Sequence, residues 1–299
     1  FSKQLIYIPW EESTPTPSLI NPTIICKNKD PDLSSSLSIP QWINIPLPSK
    51  EPLYGWFYAP SNKECRAPEG SKPPLIIKVH GGPTSQSSSS LDLKIQYWTS
   101  RGFAYFDLDY RGSSGYGREY RQKLQGKWGI YDVEDCEQAT DFLIKKGWVD
   151  PEKIAISGGS SGGFTVLSTL IFGTRFTVGA SYYGISDLVL LAEETHPFEA
   201  KYLDSLIAPY PQHIEEYKKR SPINHIDKLH CPVIFFQGSE DRVVPPNQAV
   251  AMHQALKQKG ILTHLQIYEG EGHGFRKAET IRDSLEKEYL FYLQAWGLT

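Results

Sequence analysis

The sequence contains no apolar run that could cross a bilayer, and it carries little net charge. Its longest apolar stretches, residues 74–80 and 231–238, have the length of β-strands, well short of the ~20 residues that a spanning helix needs. The formal net charge is -3 at pH 7, which gives no electrostatic case for binding nucleic acid or an anionic membrane. No basic-then-apolar signal segment opens the chain, which begins at Phe1 and not at Met. We therefore expect a processed chain or a piece of a longer protein.

Cysteine is scarce and scattered. The four cysteines, Cys26, Cys65, Cys136 and Cys231, form neither a metal-like pair nor a dense disulfide framework. We expect free thiols in a reducing compartment, which favours the cytoplasm, and we expect no metal or organic cofactor. The sequence also has no internal repeat at the period of a solenoid protein.

From residue 74 onward, apolar strands alternate with amphipathic helices. The 39% hydrophobic content of the 299 residues is enough for one large core or two modest ones. Apolar strands separated by helices are typical of a mostly parallel central sheet with helices on both faces, so the predicted class is α/β. The predicted strands are 75–80, 103–110, 153–157, 176–184, 231–238 and 263–270, and the predicted helices are 91–102, 132–147, 164–172, 246–260 and 277–296.

Two regions depart from this alternation. Residues 1–45 hold short strand candidates at 4–10 and 23–26, separated by a segment rich in proline, serine and threonine. Residues 185–230 are more polar and aromatic, and they predict a helical insertion over the edge of the sheet.

The segment ISGGSSGGF, residues 156–164, connects a predicted strand to a predicted helix and matches G-x-S-x-G in two registers. Such a turn forms a nucleophile elbow when it lifts a serine hydroxyl above the sheet, and glycines around the serine relieve the crowding. A plain tight turn is the alternative, and a Walker phosphate loop is excluded because its lysine is missing. Ser160 and Ser161 both fit the pattern. Glycine at 163 favours Ser160, since the Ser161 register would place Phe164 where the helix must pass close to the sheet.

Two later loops carry the residue types that a serine nucleophile requires. In α/β-hydrolases the acid and the histidine follow the serine in chain order, each on a loop after a later strand. Asp241 follows the strand at 231–238, and His273 lies in a glycine-flanked turn after the strand at 263–270. Asp241 could also be a turn or N-cap aspartate before the helix at 246–260. The two loops together favour a catalytic triad.

The remaining requirement is an oxyanion hole. VHGGPTSQ, residues 79–86, leaves a strand with two glycines and a proline, which exposes backbone N–H groups near the top of the sheet. The N–H of Gly82 could converge with that of the residue after the nucleophile. An ordinary Gly-Pro turn is the alternative.

Five ordered motifs give the chain a family resemblance. They are HGGP (80–83), DYRGSSGYGREY (109–120), IAISGGSSGG (154–163), GSEDRVVPP (238–246) and EGEGHGF (269–275). Over about residues 40–299 the chain resembles the catalytic domain of the prolyl oligopeptidase family of serine peptidases. The similarity is greatest to its acylaminoacyl-peptidase and dipeptidyl-aminopeptidase-like branch.

The resemblance implies an α/β-hydrolase fold and assigns the site residues. The family's elbow, G-G-S-x-G-G, makes Ser160 the nucleophile, and the matching motifs make Asp241 the acid and His273 the base. The backbone N–H groups of Gly82 and Ser161 would form the oxyanion hole.

Other positions carry weaker implications of the same resemblance. Val244 and Tyr183 match positions near the S1 site, although packing in the core or at the sheet end is an equally good interpretation. Arg111 is interpreted as an internal hydrogen-bond organiser. Gln237 stands where the family often has histidine, and we expect it to contact no catalytic group.

Family members carry a β-propeller ahead of the hydrolase domain, and this chain has no room for one. We interpret residues 1–45 as a remnant of such a propeller or the connection to it, and residues 46–299 as the catalytic domain. The predicted function is hydrolysis of oligopeptide, dipeptidyl or acylaminoacyl bonds through an acyl-enzyme. An esterase or other acyl hydrolase is the alternative, because the same triad serves both. A binding module without activity is disfavoured, since all three triad residue types are present.

Overall fold

The computed structural model describes residues 37–48, 51–194 and 200–298, and also the backbone of residues 4–7 and 23–27. The strands are β1 (Gln4–Tyr7), β2 (Thr23–Lys27), β3 (Gln41–Pro46), β4 (Pro52–Tyr58), β5 (Leu75–Val79), β6 (Ala104–Asp109), β7 (Ile154–Gly159), β8 (Val178–Tyr182), β9 (Val233–Gly238) and β10 (Thr263–Tyr268). The helices are α1 (Leu93–Thr99), α2 (Gly117–Gln122), α3 (Tyr131–Lys145), α4 (Ser161–Phe172), α5 (Leu188–Glu194), α6 (Ala200–Leu206), α7 (Ile214–Arg220), α8 (Pro246–Gln258) and α9 (Ala278–Ala295).

Eight strands form one sheet in the order β10-β9-β8-β7-β5-β6-β4-β3. Strands β5 to β10 run parallel, whereas β4 is antiparallel to both of its neighbours. This confirms the predicted α/β class. The chain moves from β5 to β6 on one side and to β7 on the other, so β5 and β7 flank a topological switch point. Ligands of open α/β sheets bind in the crevice at such a point, beyond the carboxyl ends of the strands.

The N-terminal region contributes to two sheets. β1 and β2 pair antiparallel as a separate two-stranded sheet. β3, an edge strand of the large sheet, begins at Gln41 and ends at Pro46, where the catalytic domain was expected to begin. The sheet therefore starts a few residues before the expected domain boundary, and the domain division itself stays a prediction.

Side chains alternate between two cores, one on each face of the sheet. On β5, Ile77 and Val79 join a core with α3, α4 and α8, and Ile76 joins a core with α1 and α9. This alternation follows from the period of two in a strand and explains why β5 is apolar on both faces.

The insertion at 185–230 is helical, as predicted, but its expected position at the sheet edge is wrong. It connects β8 and β9, which are interior strands, and its side chains pack in the same core as α4. Backbone hydrogen bonds from Gly126 to Ser205 and from Trp128 to Leu206, of 2.9 and 3.2 Å, fix it there. The residues of α4 are buried from Ser161 to Ile171, which requires a second layer over the helix.

Cys65, Cys136 and Cys231 are free thiols, as expected, and the side chain of Cys26 lies outside the described residues. In the part of the chain that the structure describes, no helix is both long and apolar enough to span a membrane.

Candidate active site

Ser160 occupies a strained turn between β7 and α4. Its backbone has φ 58° and ψ -124°, in a region that residues other than glycine rarely adopt. A hydrogen bond of 3.0 Å from its N–H to the carbonyl of Tyr182 holds the turn against the neighbouring strand. The turn is thus a sharp strand-to-helix elbow with Ser160 at its tip.

The glycines around Ser160 are required by close packing. A Cβ on Gly162 would lie 2.5 Å from the carbonyl oxygen of Val79, and one on Gly163 would lie 2.6 Å from the Cα of Gly184. A Cβ on Gly158 would overlap the carbonyl of Gly162. The helix therefore passes too close to the sheet for any side chain at these positions.

The side chains of Ser161 and Phe164, in the same segment, are buried away from the tip of the elbow. Phe164 is fully buried, with its ring centroid 4.5 Å from that of Trp128. Ser161 is the first residue of α4, and its side chain is buried. Of the two adjacent serines, Ser160 is the one in contact with His273.

Hydrogen bonds join Ser160, His273 and Asp241 in one chain. The distance from Ser160 Oγ to His273 Nε2 is 2.9 Å, and that from His273 Nδ1 to Asp241 Oδ2 is 2.8 Å. Because an ionised carboxylate can only accept, Nδ1 carries the hydrogen and Nε2 is left to accept from the serine hydroxyl. This is the tautomer that a general base needs.

Asp241 is buried and accepts four hydrogen bonds. Its Oδ1 accepts from the backbone N–H groups of Val243 and Val244, both at 2.9 Å. Its Oδ2 accepts from His273 and, at 3.2 Å, from the side chain of Gln237. Burial by itself would raise the pKa of Asp241, but the hydrogen bonds from His273, Val244 and Val243 outweigh it and hold the pKa below its ordinary value. The carboxylate therefore stays ionised beside the imidazole.

The expectation that Gln237 contacts no catalytic group is wrong. Besides its bond to Asp241, its Nε2 donates to the carbonyl of Val244 at 3.0 Å, and the side chain is fully buried. A signal was present in the sequence. Gln237 is a polar residue at the end of an otherwise apolar strand, four positions before Asp241.

The loop after β5 touches the elbow. A Cβ on Gly81 would lie 3.0 Å from the carbonyl oxygen of Gly159, so the backbones of the two loops are in close contact. Gly82 has φ +124°, and a Cβ there would lie 2.6 Å from the N of Thr84. The N–H of Ser161 lies at the N-terminus of α4, where it lacks an intrahelical acceptor and where the helix dipole favours an anion. The two expected donors, on Gly82 and Ser161, thus belong to adjoining loops, and their convergence on an oxyanion stays a prediction.

Residues of the YRGSSGYG stretch support that loop. The His80 ring stacks on Tyr110 at 4.3 Å, and its Nε2 lies 2.7 Å from Ser113 Oγ. The Tyr110 hydroxyl donates to the carbonyl of Pro83 at 2.8 Å. Arg111 organises hydrogen bonds as expected, since its Nε donates to Asp135 Oδ1 at 2.8 Å.

The two proposed S1 residues have different surroundings. The Tyr183 ring lies 4.9 Å from that of His273, and it borders a cavity at the site. Val244 is 1% exposed, belongs to the core and does not line that cavity. The role of each in binding substrate stays a prediction. Among the described residues, no three His, Cys, Asp or Glu side chains lie close enough together to hold a metal ion.

Comparison with known proteins agrees with this geometry. The sequence profile of the prolyl oligopeptidase family matches residues 89–299. The acylamino-acid-releasing enzyme of Arabidopsis thaliana is 32% identical, over 79% of this chain and 32% of that protein. Dipeptidyl aminopeptidase BIII of Pseudoxanthomonas mexicana is 27% identical, over 83% of this chain and 37% of that protein. The chain thus spans about a third of the length of these curated relatives.

A solved structure extends the similarity to three dimensions. A puromycin-hydrolyzing peptidase of Mycobacterium tuberculosis superimposes with a TM-score of 0.87 at 44% identity, over 89% of this chain and 40% of that one. Together with the sheet order, this similarity confirms the α/β-hydrolase fold.

Proposed function

Since the chain belongs to the prolyl oligopeptidase family, we propose that it hydrolyses peptide bonds as a serine peptidase, with Ser160 as nucleophile, His273 as base and Asp241 as the acid that orients the base. The observation that supports this most is the continuous chain of hydrogen bonds from Ser160 Oγ through His273 to Asp241.

In the proposed first half-reaction, Ser160 Oγ attacks the carbonyl carbon while its proton passes to His273 Nε2. The carbonyl oxygen becomes negative and accepts hydrogen bonds from the N–H groups of Ser161 and Gly82. His273 then returns the proton to the amine nitrogen as the C–N bond breaks, which leaves an ester on Ser160. In the second half, His273 takes a proton from water, the water oxygen attacks the ester, and the proton goes back to Ser160 as the acid departs.

A fluorophosphonate, which reacts with activated serines, tests the triad. The protein should be labelled, and His273→Ala should reduce the labelling rate by several orders of magnitude because the serine is no longer activated. His264→Ala is the matched control, since His264 is an exposed residue of β10 outside the site. Equal labelling of the His273→Ala variant would remove His273 from the mechanism.

Matched substrates separate a peptidase from an esterase. An amine leaving group must be protonated as it departs, whereas an activated phenol needs little such help. Acylaminoacyl, dipeptidyl and oligopeptide anilides should therefore be cleaved in addition to p-nitrophenyl esters, and puromycin belongs in the panel because a similar peptidase hydrolyses it. Ester cleavage by the folded full-length protein without cleavage of any amide would favour the esterase.

The upstream β-propeller and the cytoplasmic location are part of the same proposal. The coverage of about a third of the curated relatives is compatible with a further domain. Sequence that encodes repeated four-stranded blades before Phe1 would support the propeller, and cell fractionation would test the location.

A further inference from the structure

A cavity of about 460 Å³ extends from the catalytic serine into the space between the sheet and helices α1 and α9. Ser160 and His273 line one part of it. Its other walls are contributed by β5, β7, β8 and the two helices, and the charged side chains among them are Lys78, Lys94, Asp92 and Glu288. The cavity is therefore polar and places the reacting groups close to four charged side chains, of which Asp92 and Lys94 are exposed.

The two acidic residues in the wall already have donors from the protein. Asp92 caps α1 by accepting from the backbone N–H of Lys94 at 2.8 Å. Glu288 accepts from two phenols, from Tyr182 on Oε2 at 2.5 Å and from Tyr292 on Oε1 at 2.6 Å. Both oxygens of Glu288 thus have donors, and Asp92 is exposed, so neither carboxylate needs a cationic ligand.

The two lysines differ in this respect. In the described part of the chain, neither the Lys78 nor the Lys94 ammonium has a hydrogen-bond acceptor or an ion-pair partner within 4.0 Å. Lys78 Nζ has only the ring of Tyr182, at 5.6 Å from the centroid. Lys94 is exposed and water can solvate its ammonium, whereas Lys78 is only partly exposed and its unpaired ammonium is costly.

The surrounding charges do not remove this cost. Burial lowers the pKa of Lys78, Glu288 and Asp107 oppose the change, and Lys94 adds to it. Asp107 is the register partner of Lys78 on β6, but burial raises its pKa to about 7. At neutral pH, Asp107 is thus only partly ionised and is an incomplete counter-ion for Lys78.

We propose that this cavity is a subsite for a carboxylate, which Lys78 and Lys94 bind. The proposal rests on the function proposed above, because the carboxylate belongs to the peptide substrate and lies close to its scissile bond. Lys78 pairs in register with Ser157, three residues before Ser160, so its Cα lies about 10 Å along the strands from the nucleophile. An acidic side chain or a terminal carboxylate within one or two residues of the bond can reach the ammonium.

Matched peptides test the subsite by turnover. Peptides that differ only by Glu or Gln are compared at each of the two positions on either side of the cleaved bond. At one of these positions, kcat/KM should be roughly 10- to 100-fold higher for the Glu peptide than for the Gln peptide. This is the contribution expected of a hydrogen bond to a charged group. The ratio should fall to about one in Lys78→Met and decrease less in Lys94→Met, because Lys94 is exposed. Lys257→Met, an exposed lysine of α8 outside the cavity, should keep the ratio.

Binding tests the subsite without turnover. In the Ser160→Ala full-length protein, titration calorimetry should show tighter binding of the Glu peptide than of the Gln peptide by the same factor. Charge-selective binding without cleavage by the unmutated protein would refute the peptidase proposal and keep the subsite. If neither cleavage nor binding depends on the charge of the peptide at any position, the subsite is refuted and the peptidase proposal is kept.

A third arm identifies the source of the carboxylate. Glutarate, added as a free dicarboxylate, should inhibit cleavage of the Glu peptide competitively and should inhibit it more weakly in Lys94→Met, which remains a valid test if Lys78→Met fails to fold. Thermal stabilisation by glutarate, with no preference for Glu peptides, would show that the cavity takes a free carboxylate and would overturn the substrate subsite.

Discussion

Two carboxylates of the sheet have opposite environments. Asp241, after β9, accepts four hydrogen bonds and has a lowered pKa. Asp107, on β6, accepts none from the described residues, and its pKa is raised to about 7. Asp241 is buried and Asp107 is partly buried, yet it is the less buried carboxylate whose pKa is raised, so burial alone does not determine their charge.

The difference shows how one fold provides two kinds of polar site. The hydrogen-bond donors around Asp241 keep its carboxylate ionised. A carboxyl group must be ionised to stabilise an imidazolium beside it. Where such partners are missing, because Asp107 lacks a donor and Lys78 lacks an acceptor among the described residues, charge is held at a cost and a ligand can relieve it.

Removing the nucleophile should break the hydrogen-bonded site completely. Ser160→Ala should lose acylation and the kinetic burst, with a fall in turnover of several orders of magnitude. Ser161→Ala is its matched control, since it keeps the backbone N–H and should retain the acyl-enzyme with a changed rate or specificity. Stopped-flow kinetics with an activated ester measures both. The reverse pattern would falsify Ser160 as nucleophile and shift the elbow by one residue.

The two carboxylates should affect stability with opposite pH dependence. The raised pKa of Asp107 costs stability as pH rises from about 4 to about 7, because the unfolded chain ionises first. Asp107→Asn should thus stabilise the protein above pH 7, by on the order of 1–4 kcal/mol, and the gain should shrink toward pH 4.

The lowered pKa of Asp241 has the opposite sign. Its contribution to stability is present above the unfolded pKa of about 4 and is lost as pH falls through the folded pKa. Asp241→Asn should therefore destabilise the protein at pH 7, and the loss should shrink in acid. Urea unfolding between pH 4 and 8 measures both variants. The same sign of change at pH 7 in both would contradict the comparison.

Replacing Gln237 should change the environment of the Asp241 carboxylate without removing the carboxylate itself. Gln237→Met removes one of the two donors on Asp241 Oδ2, which makes the oxygen a stronger acceptor for His273 and stabilises the imidazolium. At the acidic end of the pH profile kcat/KM should fall by up to roughly 5-fold, as expected for one net hydrogen bond, and it should fall less at higher pH.

Two further variants distinguish a hydrogen-bonding role of Gln237 from a packing role. Gln237→His restores a donor and should move the profile back toward that of the unmutated protein. Gln258→Met, at an exposed position of α8, should leave the profile unchanged. A parallel loss of activity at all pH values in Gln237→Met would indicate a packing role only.

The smallest expected effect concerns Val244. Its side chain is buried beside Asp241, so Val244→Asp would place a second carboxylate in the core, and Val244→Ala is the more informative variant. If Val244 forms a wall of S1, the preference among apolar P1 residues should shift a few-fold toward larger side chains. Val149→Ala, an equally buried but distant position, controls for the loss of core packing. An unchanged P1 profile would assign Val244 to the core alone.

The sequence allowed most of the sheet and the triad positions to be predicted, because both follow from local patterns. Periodicity marks each strand, and parallel strands bring the loops after their carboxyl ends to one edge. This reasoning brought Asp241 and His273 to the same place as Ser160 despite their separation in the chain.

The features that were missed depend on contacts between distant segments. The insertion packs in the core beside α4 because of bonds such as that from Trp128 to Leu206, which no periodicity reveals. The short helix α2 is too brief to show a pattern. The contact between Gln237 and Asp241 depends on the geometry of the turn after β9. The cavity is formed by β5, β7, β8, α1 and α9 together.

The proposed base, His273, follows β10, the least protected strand of the parallel part of the sheet. β10 is an edge strand with mostly half-exposed residues, whereas all but the last residue of β7, which leads to Ser160, are buried. Edge strands open locally at a lower free energy than the centre of a sheet. Amide protons of Thr263–Tyr268 should exchange with solvent before those of Ile154–Gly159. On heating, local opening of β10 should displace His273, the proposed base, while the rest of the sheet is still folded, so activity should be lost before the global fold.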